Sequence, residues 1–144
     1  MTLQDIVRTA HQSADYRELI EQIPYAKHLG LECRRFGSDV IFILPKNDAN
    51  LGNPILPAIH GGVIGGFVEL SASLHLIMFN EAPRLPRIVD FSIDYLRAGL
   101  HRETYAECRV TRQGSRVANV MITAWQKSRQ EPIALGRGHF LLGD

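Results

Sequence analysis

The chain has 144 residues, of which 45% are hydrophobic and 22% charged, and its formal net charge is +1. This length fits one domain and is too short for two independent cores. The small net charge excludes electrostatic attraction as the basis for binding nucleic acid or an anionic membrane. We therefore expect one domain over residues 1–144, with no nucleic acid and no membrane as a partner.

The N-terminal segment, about residues 1–23, carries apolar residues at helical spacing: Leu3, Ile6, Val7, Tyr16, Leu19, Ile20 and Ile23. This spacing predicts one or two amphipathic helices, and Pro24 is expected to end the helical region. The segment has no signal-peptide pattern, and we expect no stretch to reach the ~18 apolar residues of a membrane span. A cytoplasmic location follows as the default expectation.

Six later segments have the pattern of β-strands: LECRRF, DVIFILP, IVDFSIDYL, ETYAECRVTRQ, RVANVMITAWQK and IALGRGHFLL. Gly37-Ser38 and Gly114-Ser115 separate neighbouring segments and indicate short hairpins. In IVDFSIDYL, apolar and polar residues alternate, so its apolar side chains share one face. In the last segment, Gly136 and Gly138 indicate a bulge or a close approach to the backbone.

A single long apolar segment between the second and third strands is predicted to be a helix. Hairpin connections dominate the rest of the chain, which favours antiparallel pairing. The sequence therefore predicts an α+β fold, with a mainly antiparallel sheet wrapped about one long central helix and an N-terminal helix added.

The two cysteines, Cys33 and Cys108, fall in predicted strands, and we expect reduced, buried thiols rather than a disulfide. The sequence has no His, Cys and Asp cluster at metal-ligand spacing, and we expect neither a catalytic metal nor a cofactor. His75 is expected to fill a core or interface position.

Glu69 is the only Asp, Glu, Lys or Arg between Leu51 and Asn80. Apolar residues surround every side of the predicted helix, so we expect the helix to be buried and the carboxylate to be desolvated. A buried carboxylate is typical of a general base or nucleophile, but it also occurs as a structural group that satisfies buried backbone or pairs with an arginine.

The start of this helix favours a catalytic function. His60, Gly61 and Gly62 follow a loop rich in glycine and proline, and glycines at a helix start leave backbone N–H groups accessible. These donors could stabilise an oxyanion. His60 could equally be a loop residue that caps the turn. Ser73, four residues after Glu69, could hold water beside the carboxylate or bond back to the helix carbonyls.

The spacing of Gly61 and Glu69 has a geometric consequence. Eight residues of helix rise ~12 Å, so the two groups of one chain cannot contact the same reacting carbon. A site that uses both must take them from two copies of the helix, which predicts a symmetric dimer with two sites across its interface.

HGG with a glutamate nine positions after the histidine, together with DFSIDYLRAG and PYAKHLGLE, resembles the hotdog-fold acyl-CoA thioesterases of the PaaI type. The resemblance covers roughly residues 24–141. It implies a hotdog fold, assembly as a homodimer or a dimer of dimers, and hydrolysis of an aryl or medium-chain acyl-CoA without a cofactor.

The resemblance also implies roles for individual residues. The Gly61 N–H would polarise the thioester carbonyl, His60 would orient that loop, and Glu69 of the facing subunit would be general base or nucleophile. Ser73 matches the hydroxyl residue one turn after the glutamate. The candidate residues for binding the substrate are Gly62, Arg97, Arg116 and Arg137.

Two positions depart from the family pattern. The Asn or Gln six residues before the histidine is here Pro54, and Asn53 is the candidate that replaces it. Where one branch of the family has Ser or Thr, this chain has Ile88. These departures leave open an acyl-CoA binding module without catalytic activity. A hotdog enoyl-CoA hydratase or dehydratase, which resembles this chain in the central helix, is the other alternative.

Overall fold

The computed structural model describes residues 1–143. Three helices precede the first strand, and they are α1 (Leu3–Ser13), α2 (Arg17–Ile20) and α3 (Pro24–Leu29). The helix α1 begins with a capping box, in which Thr2 and Asp5 each accept a hydrogen bond from the other's backbone N–H. The predicted helices are confirmed, but Pro24 does not end the helical region. It is the first residue of α3, a position where a helix needs no N–H donor.

The main sheet of the described chain has six antiparallel strands. They are β1 (Glu32–Phe36), β2 (Asp39–Leu44), β5 (Arg87–Tyr95), β6 (Thr104–Gln113), β7 (Val117–Trp125) and β8 (Ala134–Leu141). Their order across the sheet is β1-β2-β6-β7-β8-β5. A second, smaller sheet pairs β3 (Leu51–Asn53) with β4 (Ala58–Ile59). Both predicted hairpins are confirmed. Gly37 takes the left-handed conformation, φ 65°, and the β6–β7 loop is three residues long rather than two.

The long helix α4 (Gly61–Met78) packs against one face of this sheet. Its sheet-facing side chains, Phe67, Val68 and Leu74, are fully buried. A Cβ atom on Gly136 would lie 2.7 Å from a Val68 methyl carbon, so glycine is required where β8 passes under the helix. This confirms the close approach predicted for Gly136. The arrangement is the hotdog fold, an antiparallel sheet around a long central helix.

The opposite side of α4 is only partly covered within the chain. Gly65, Gly66, Glu69 and Ser73 are only half-buried, and Gly62 is exposed. The prediction that this helix is buried on every side is therefore wrong for the single chain. The sheet covers only one side of the helix, and the glycines on the other side have no side chains to bury.

The helix α4 also corrects the expectation about membrane spans. It has 18 residues with a mean hydropathy of 1.4, which is long and apolar enough to cross a membrane by length and composition. Half of this stretch is buried inside the structure, and its contacts with the sheet are those of the core helix of a globular domain.

The strand β5 lies at one edge of the main sheet. Its alternating apolar and polar residues suit a strand with one face toward the core and the other toward solvent. Phe91 and Ile93 pack against the core, while Val89 is 58% exposed and Tyr95 is 52% exposed. The register shifts between Ile88 and Asp90, so Val89 forms a bulge. The chain thus leaves a nine-residue edge strand with exposed apolar side chains.

Cys33 and Cys108 are free thiols. Burial raises the pKa of Cys33 to about 12 and also raises the pKa of Cys108. Both side chains are therefore neutral near pH 7. The structure forms no disulfide between them, and both residues are partly rather than fully buried.

Candidate active site

The first turn of α4 is capped by His60. Its Nδ1 accepts a hydrogen bond from the Gly62 N–H at 2.9 Å, and its own backbone N–H donates to the Asn50 carbonyl at 2.8 Å. Because Nδ1 is the acceptor, the ring proton is assigned to Nε2. His60 therefore caps the turn, as one of its two interpretations from the sequence expected. The same contact also orients the backbone of Gly61.

Gly61 is the first residue of α4, where an N–H has no partner within the helix. The hydrogen bonds formed among residues 1–143 include none donated by this N–H. It lies at the positive end of an 18-residue helix. The structure thus has a free, oriented amide donor at the position that the sequence predicts.

Tyr95, the last residue of β5, contacts the same turn from the other side. Its hydroxyl donates to the Gly61 carbonyl oxygen at 2.6 Å. A Cβ atom on Gly65 would lie 3.2 Å from this hydroxyl, so the phenol packs directly on the helix backbone. The sequence predicts only that Tyr95 lies on the apolar face of a strand. No sequence signal other than its place in DFSIDYLRAG distinguishes it.

A cavity of about 410 Å³ opens beside the helix start. Its walls include Ile59, Gly61, Ile64, Tyr95, Leu96 and Arg97. Most of the lining residues are apolar, and the polar side chains among them are Tyr95 and Arg97, so the cavity suits an acyl or thioester group. The Arg97 guanidinium donates to the Pro132 carbonyl at 2.7 Å and so is held at the rim.

A second recess, of about 310 Å³, adjoins the first and shares Arg97 with it. Arg102, Lys127 and Glu131 also line this recess. Three cations and one carboxylate give it a net positive charge. The recess can therefore receive an anionic group from a ligand that reaches the Gly61 cavity.

Glu69 lies two turns further along α4 and is half-buried. The ion pairs found between residues 1 and 143 all involve other acidic residues. The expected desolvation of this carboxylate is thus incomplete in the single chain, because Glu69 lies on the side of α4 that the sheet does not cover. The carboxylate is accessible to a second molecule or a second chain.

Ser73 shares this face of α4 with Glu69 and is half-buried. A bond back to the helix is made by Ser71 instead, whose hydroxyl donates to the Phe67 carbonyl at 2.8 Å. No such bond is formed by Ser73 within the described residues. Its hydroxyl is therefore free to hold water beside the carboxylate.

Asn53 lies in the small sheet that precedes His60. Its side-chain oxygen accepts hydrogen bonds from the backbone N–H groups of Ile55 and Leu56, at 3.0 and 3.2 Å. This oxygen is thus committed to the turn that contains Pro54. The amide nitrogen of Asn53 remains the part of the side chain that could serve a site.

Arg116 and Arg137 lie away from the Gly61 cavity of their own chain. The Arg116 carbonyl accepts from Leu142 N–H, at the end of the sheet where β5 begins. Tyr95 is at the other end of β5, roughly 26 Å away by strand rise. Arg137 alternates with the buried Gly136 and Gly138 and so points away from α4. Of the three candidate arginines, only Arg97 borders the cavity.

His75 lies on α4 with its Nδ1 buried, and this atom has no partner among the residues described. Burial lowers the pKa of His75 to about 4, so the ring is neutral near pH 7. Its ring packs on Phe79 with centroids 4.6 Å apart. Within residues 1–143, no three His, Cys, Asp or Glu side chains are grouped so that they could hold a metal ion.

Comparison with known proteins gives three findings. The model of the thioesterase superfamily matches residues 56–133. A crystal structure of a protein from Chromobacterium violaceum is similar to the whole chain, with 39% sequence identity, 98% coverage of both chains and a TM-score of 0.78. No curated protein shows significant similarity.

Two more distant structures share the fold. A protein from Bacillus halodurans, crystallised with CoA, has 15% identity and a TM-score of 0.77, and the match covers 99% of this chain and 91% of that one. A phenylacetic acid degradation-related protein from Ralstonia eutropha has 19% identity and a TM-score of 0.69, and the match covers 88% of this chain and 98% of that one.

Proposed function

The chain belongs to the thioesterase superfamily, and from this membership we propose that it hydrolyses the thioester bond of an aryl or medium-chain acyl-CoA. CoA is the ligand of the similarly folded Bacillus halodurans protein. The phenylacetic acid degradation-related protein from Ralstonia eutropha supports a PaaI-type relationship. No cofactor is needed for this reaction.

The observation that carries the proposal is the free N–H of Gly61, a residue that lines the apolar cavity. A thioester carbonyl in this cavity would accept a hydrogen bond from that N–H. The same donor would stabilise the negative oxygen that forms when the carbonyl carbon is attacked. The positive end of α4 adds to this stabilisation.

Glu69 provides the attack on the thioester carbon, either through a water molecule or directly. As a general base it takes a proton from water, and the water oxygen bonds to the thioester carbon. The carbon–sulfur bond then breaks, and the CoA thiolate leaves and takes up a proton, so the products are a carboxylic acid and free CoA. Alternatively, Glu69 attacks the carbon directly, and water cleaves the anhydride that results. Ser73 holds the water in either case.

The Gly61 N–H and the Glu69 carboxylate of one site come from different subunits, because these two residues of one chain are about 12 Å apart along α4. The protein is then a homodimer, or a dimer of dimers, with two sites across the interface. The exposed side of α4, with Glu69 and Ser73, faces the partner. Association covers the carboxylate that the single chain leaves accessible.

The edge strand β5 is the surface through which the subunits pair. The other edge, β1, has five residues and carries Glu32, Arg34 and Arg35, which protect an edge against pairing. In contrast, β5 has nine residues and exposes Val89. Two β5 strands pairing about a two-fold axis would join the sheets and place Tyr95 and Gly61 of each subunit near the interface.

Arg97 is the candidate for binding the anionic part of CoA from the same chain as Gly61, together with Arg102 and Lys127 of the adjoining recess. Arg116 and Arg137 could contribute only from the partner subunit or outside the cavity. Gly62 donates its N–H to His60 and so positions the turn rather than the substrate.

The test is thiol release from a panel of aryl and aliphatic acyl-CoAs. The wild-type protein should release CoA from at least one of them, and Glu69→Gln should lose most of this activity. Glu18→Gln, a substitution of an exposed glutamate on α2, is the matched control and should retain it. An absence of thiol release from every substrate, or full activity in Glu69→Gln, would contradict the proposal.

Two other results would identify the alternatives. A change in the absorbance of an enoyl-CoA without thiol release would indicate a hydratase. Saturable acyl-CoA binding, with turnover equal in the wild type and Glu69→Gln, would indicate a binding module.

A further inference from the structure

The peptide group between Gly61 and Gly62 is held at both ends by side chains. Its carbonyl oxygen accepts from the Tyr95 hydroxyl at 2.6 Å, and its N–H donates to His60 Nδ1 at 2.9 Å. The two side chains come from different parts of the chain, since His60 precedes the helix and Tyr95 ends β5. The N–H of Gly61 itself belongs to the preceding peptide group and has no partner among residues 1–143. Gly61 lines the cavity.

This turn needs such support because of its composition. Two consecutive glycines have more accessible backbone conformations than other residues. They also occupy the first turn, where N–H groups have no intrahelical partners and helices fray. Without outside contacts, the direction of the Gly61 N–H would vary, and a donor that must reorganise stabilises a developing charge poorly.

Tyr95 is itself well positioned to hold the turn. It pairs with Ala134 in the register of β5 and β8, and the backbone that follows it donates from Leu96 to the Ile133 carbonyl at 2.8 Å. Its ring packs on Gly61 and Gly65. Half of its surface remains exposed, so its contribution to the hydrophobic core is small and its contacts with the helix start are its main interaction.

We infer that Tyr95 is a positioning residue for thioester hydrolysis: its hydroxyl, together with His60, fixes the Gly61–Gly62 peptide group so that the Gly61 N–H points at the substrate carbonyl. This inference rests on the proposed function. Tyr95 acts through Gly61 and does not itself contact the reacting atoms.

The test compares Tyr95→Phe with Tyr105→Phe. Both substitutions remove only a hydroxyl, and both hydroxyls donate at 2.6 Å, that of Tyr105 to the Glu103 carboxylate. Tyr105 lies on β6, three strands away from β5, or about 14 Å. It is therefore a control for the loss of a tyrosine hydrogen bond that does not involve α4.

In Tyr95→Phe, kcat should fall about tenfold, less than the ~10²- to 10³-fold cost of losing an oxyanion donor outright. KM should stay nearly constant, because the Gly61 N–H stabilises the oxyanion of the transition state more strongly than the carbonyl of the bound substrate. The NMR resonances of the Gly61 and Gly62 amides should move. Tyr105→Phe should change neither kcat nor these resonances.

Gly65→Ala provides an independent variant in which the tyrosine is intact. Its new Cβ would lie 3.2 Å from the Tyr95 hydroxyl, so the phenol must shift by a few tenths of an ångström. The same fall in kcat is expected. Thermal unfolding of each variant shows whether it is folded.

The outcomes separate this inference from the proposed function. A wild-type protein without thioesterase activity contradicts both. An active wild type with unchanged kcat in folded Tyr95→Phe contradicts the inference alone, whether or not the amide resonances move. A fall in kcat with an equal effect in Tyr105→Phe also contradicts it.

Discussion

Gly61 and Glu69 lie eight residues apart on one helix, α4, which separates them by about 12 Å along its axis. Gly61 begins the helix with a free N–H beside a cavity, and Glu69 is on the helix face that the chain leaves uncovered. Neither group can complete a thioesterase site with the other in the same chain. The proposed function therefore requires that two copies of the chain associate.

Replacing Gly61 by proline should remove the proposed donor and leave the helix in place. Proline is favourable at the first helical position, and His60, with φ −59° and ψ 132°, has a conformation compatible with a following proline. We expect kcat to fall by about 100-fold or more. Gly61→Ala keeps the N–H and should lose much less.

Steady-state kinetics on the two Gly61 variants, with circular dichroism to confirm folding, measures this difference. Equal kcat values in folded Gly61→Pro and Gly61→Ala would show that the N–H does not take part.

Replacing Val89 by glutamate should weaken the dimer. Val89 is 58% exposed on the unpaired edge of β5, and a charge there would be repelled by its symmetry mate or desolvated at the interface. Val117→Glu, at an exposed valine of β7, is the control. Sedimentation should give a dimer or larger assembly for wild type and control, and monomers without activity for Val89→Glu. Unchanged assembly in Val89→Glu would exclude β5 as the interface.

His75 should make the folded protein less stable in mild acid. Its pKa is about 4 in the folded state, because of burial, against an ordinary value of 6.5. The unfolded chain therefore binds more protons below pH 6.5, and stability falls as the pH is lowered from 6.5 toward 4. Lowering the pH from 7 to 5 should reduce the free energy of unfolding by roughly 2 kcal/mol through this histidine.

Urea unfolding at pH 7 and pH 5 measures this loss. His75→Gln should lose less stability over that interval than the wild type, while His28→Gln, at an exposed histidine of α3, should behave like the wild type. An identical loss in His75→Gln and the wild type would mean that other groups are responsible.

Local patterns in the sequence were sufficient to predict the strands, the hairpins and the central helix. The alternation in IVDFSIDYL identifies β5, and the glycine in the β1–β2 turn identifies a hairpin, because both effects act between neighbouring residues. Pro24 was misinterpreted because a proline suits both the end of one helix and the first residue of the next.

The features that depend on tertiary placement could not be predicted in this way. Apolar composition does not reveal which side of α4 the sheet covers, so the accessibility of Glu69 in the single chain was missed. The strand register places Arg116 near the start of β5, at the opposite end of the sheet from Tyr95. The contact of Tyr95 with Gly61 joins residues 34 positions apart, and nothing in either local pattern indicates it.

Mixing two inactive variants tests the shared site most directly. In a mixed dimer of Glu69→Gln and Gly61→Pro subunits, one site combines both substitutions and the other has neither. After subunit exchange at equal concentrations, half of the dimers should be mixed, and activity should return to about a quarter of the wild-type value. If mass spectrometry confirms mixed dimers and the mixture is no more active than either variant alone, Glu69 and Gly61 do not act together across the interface.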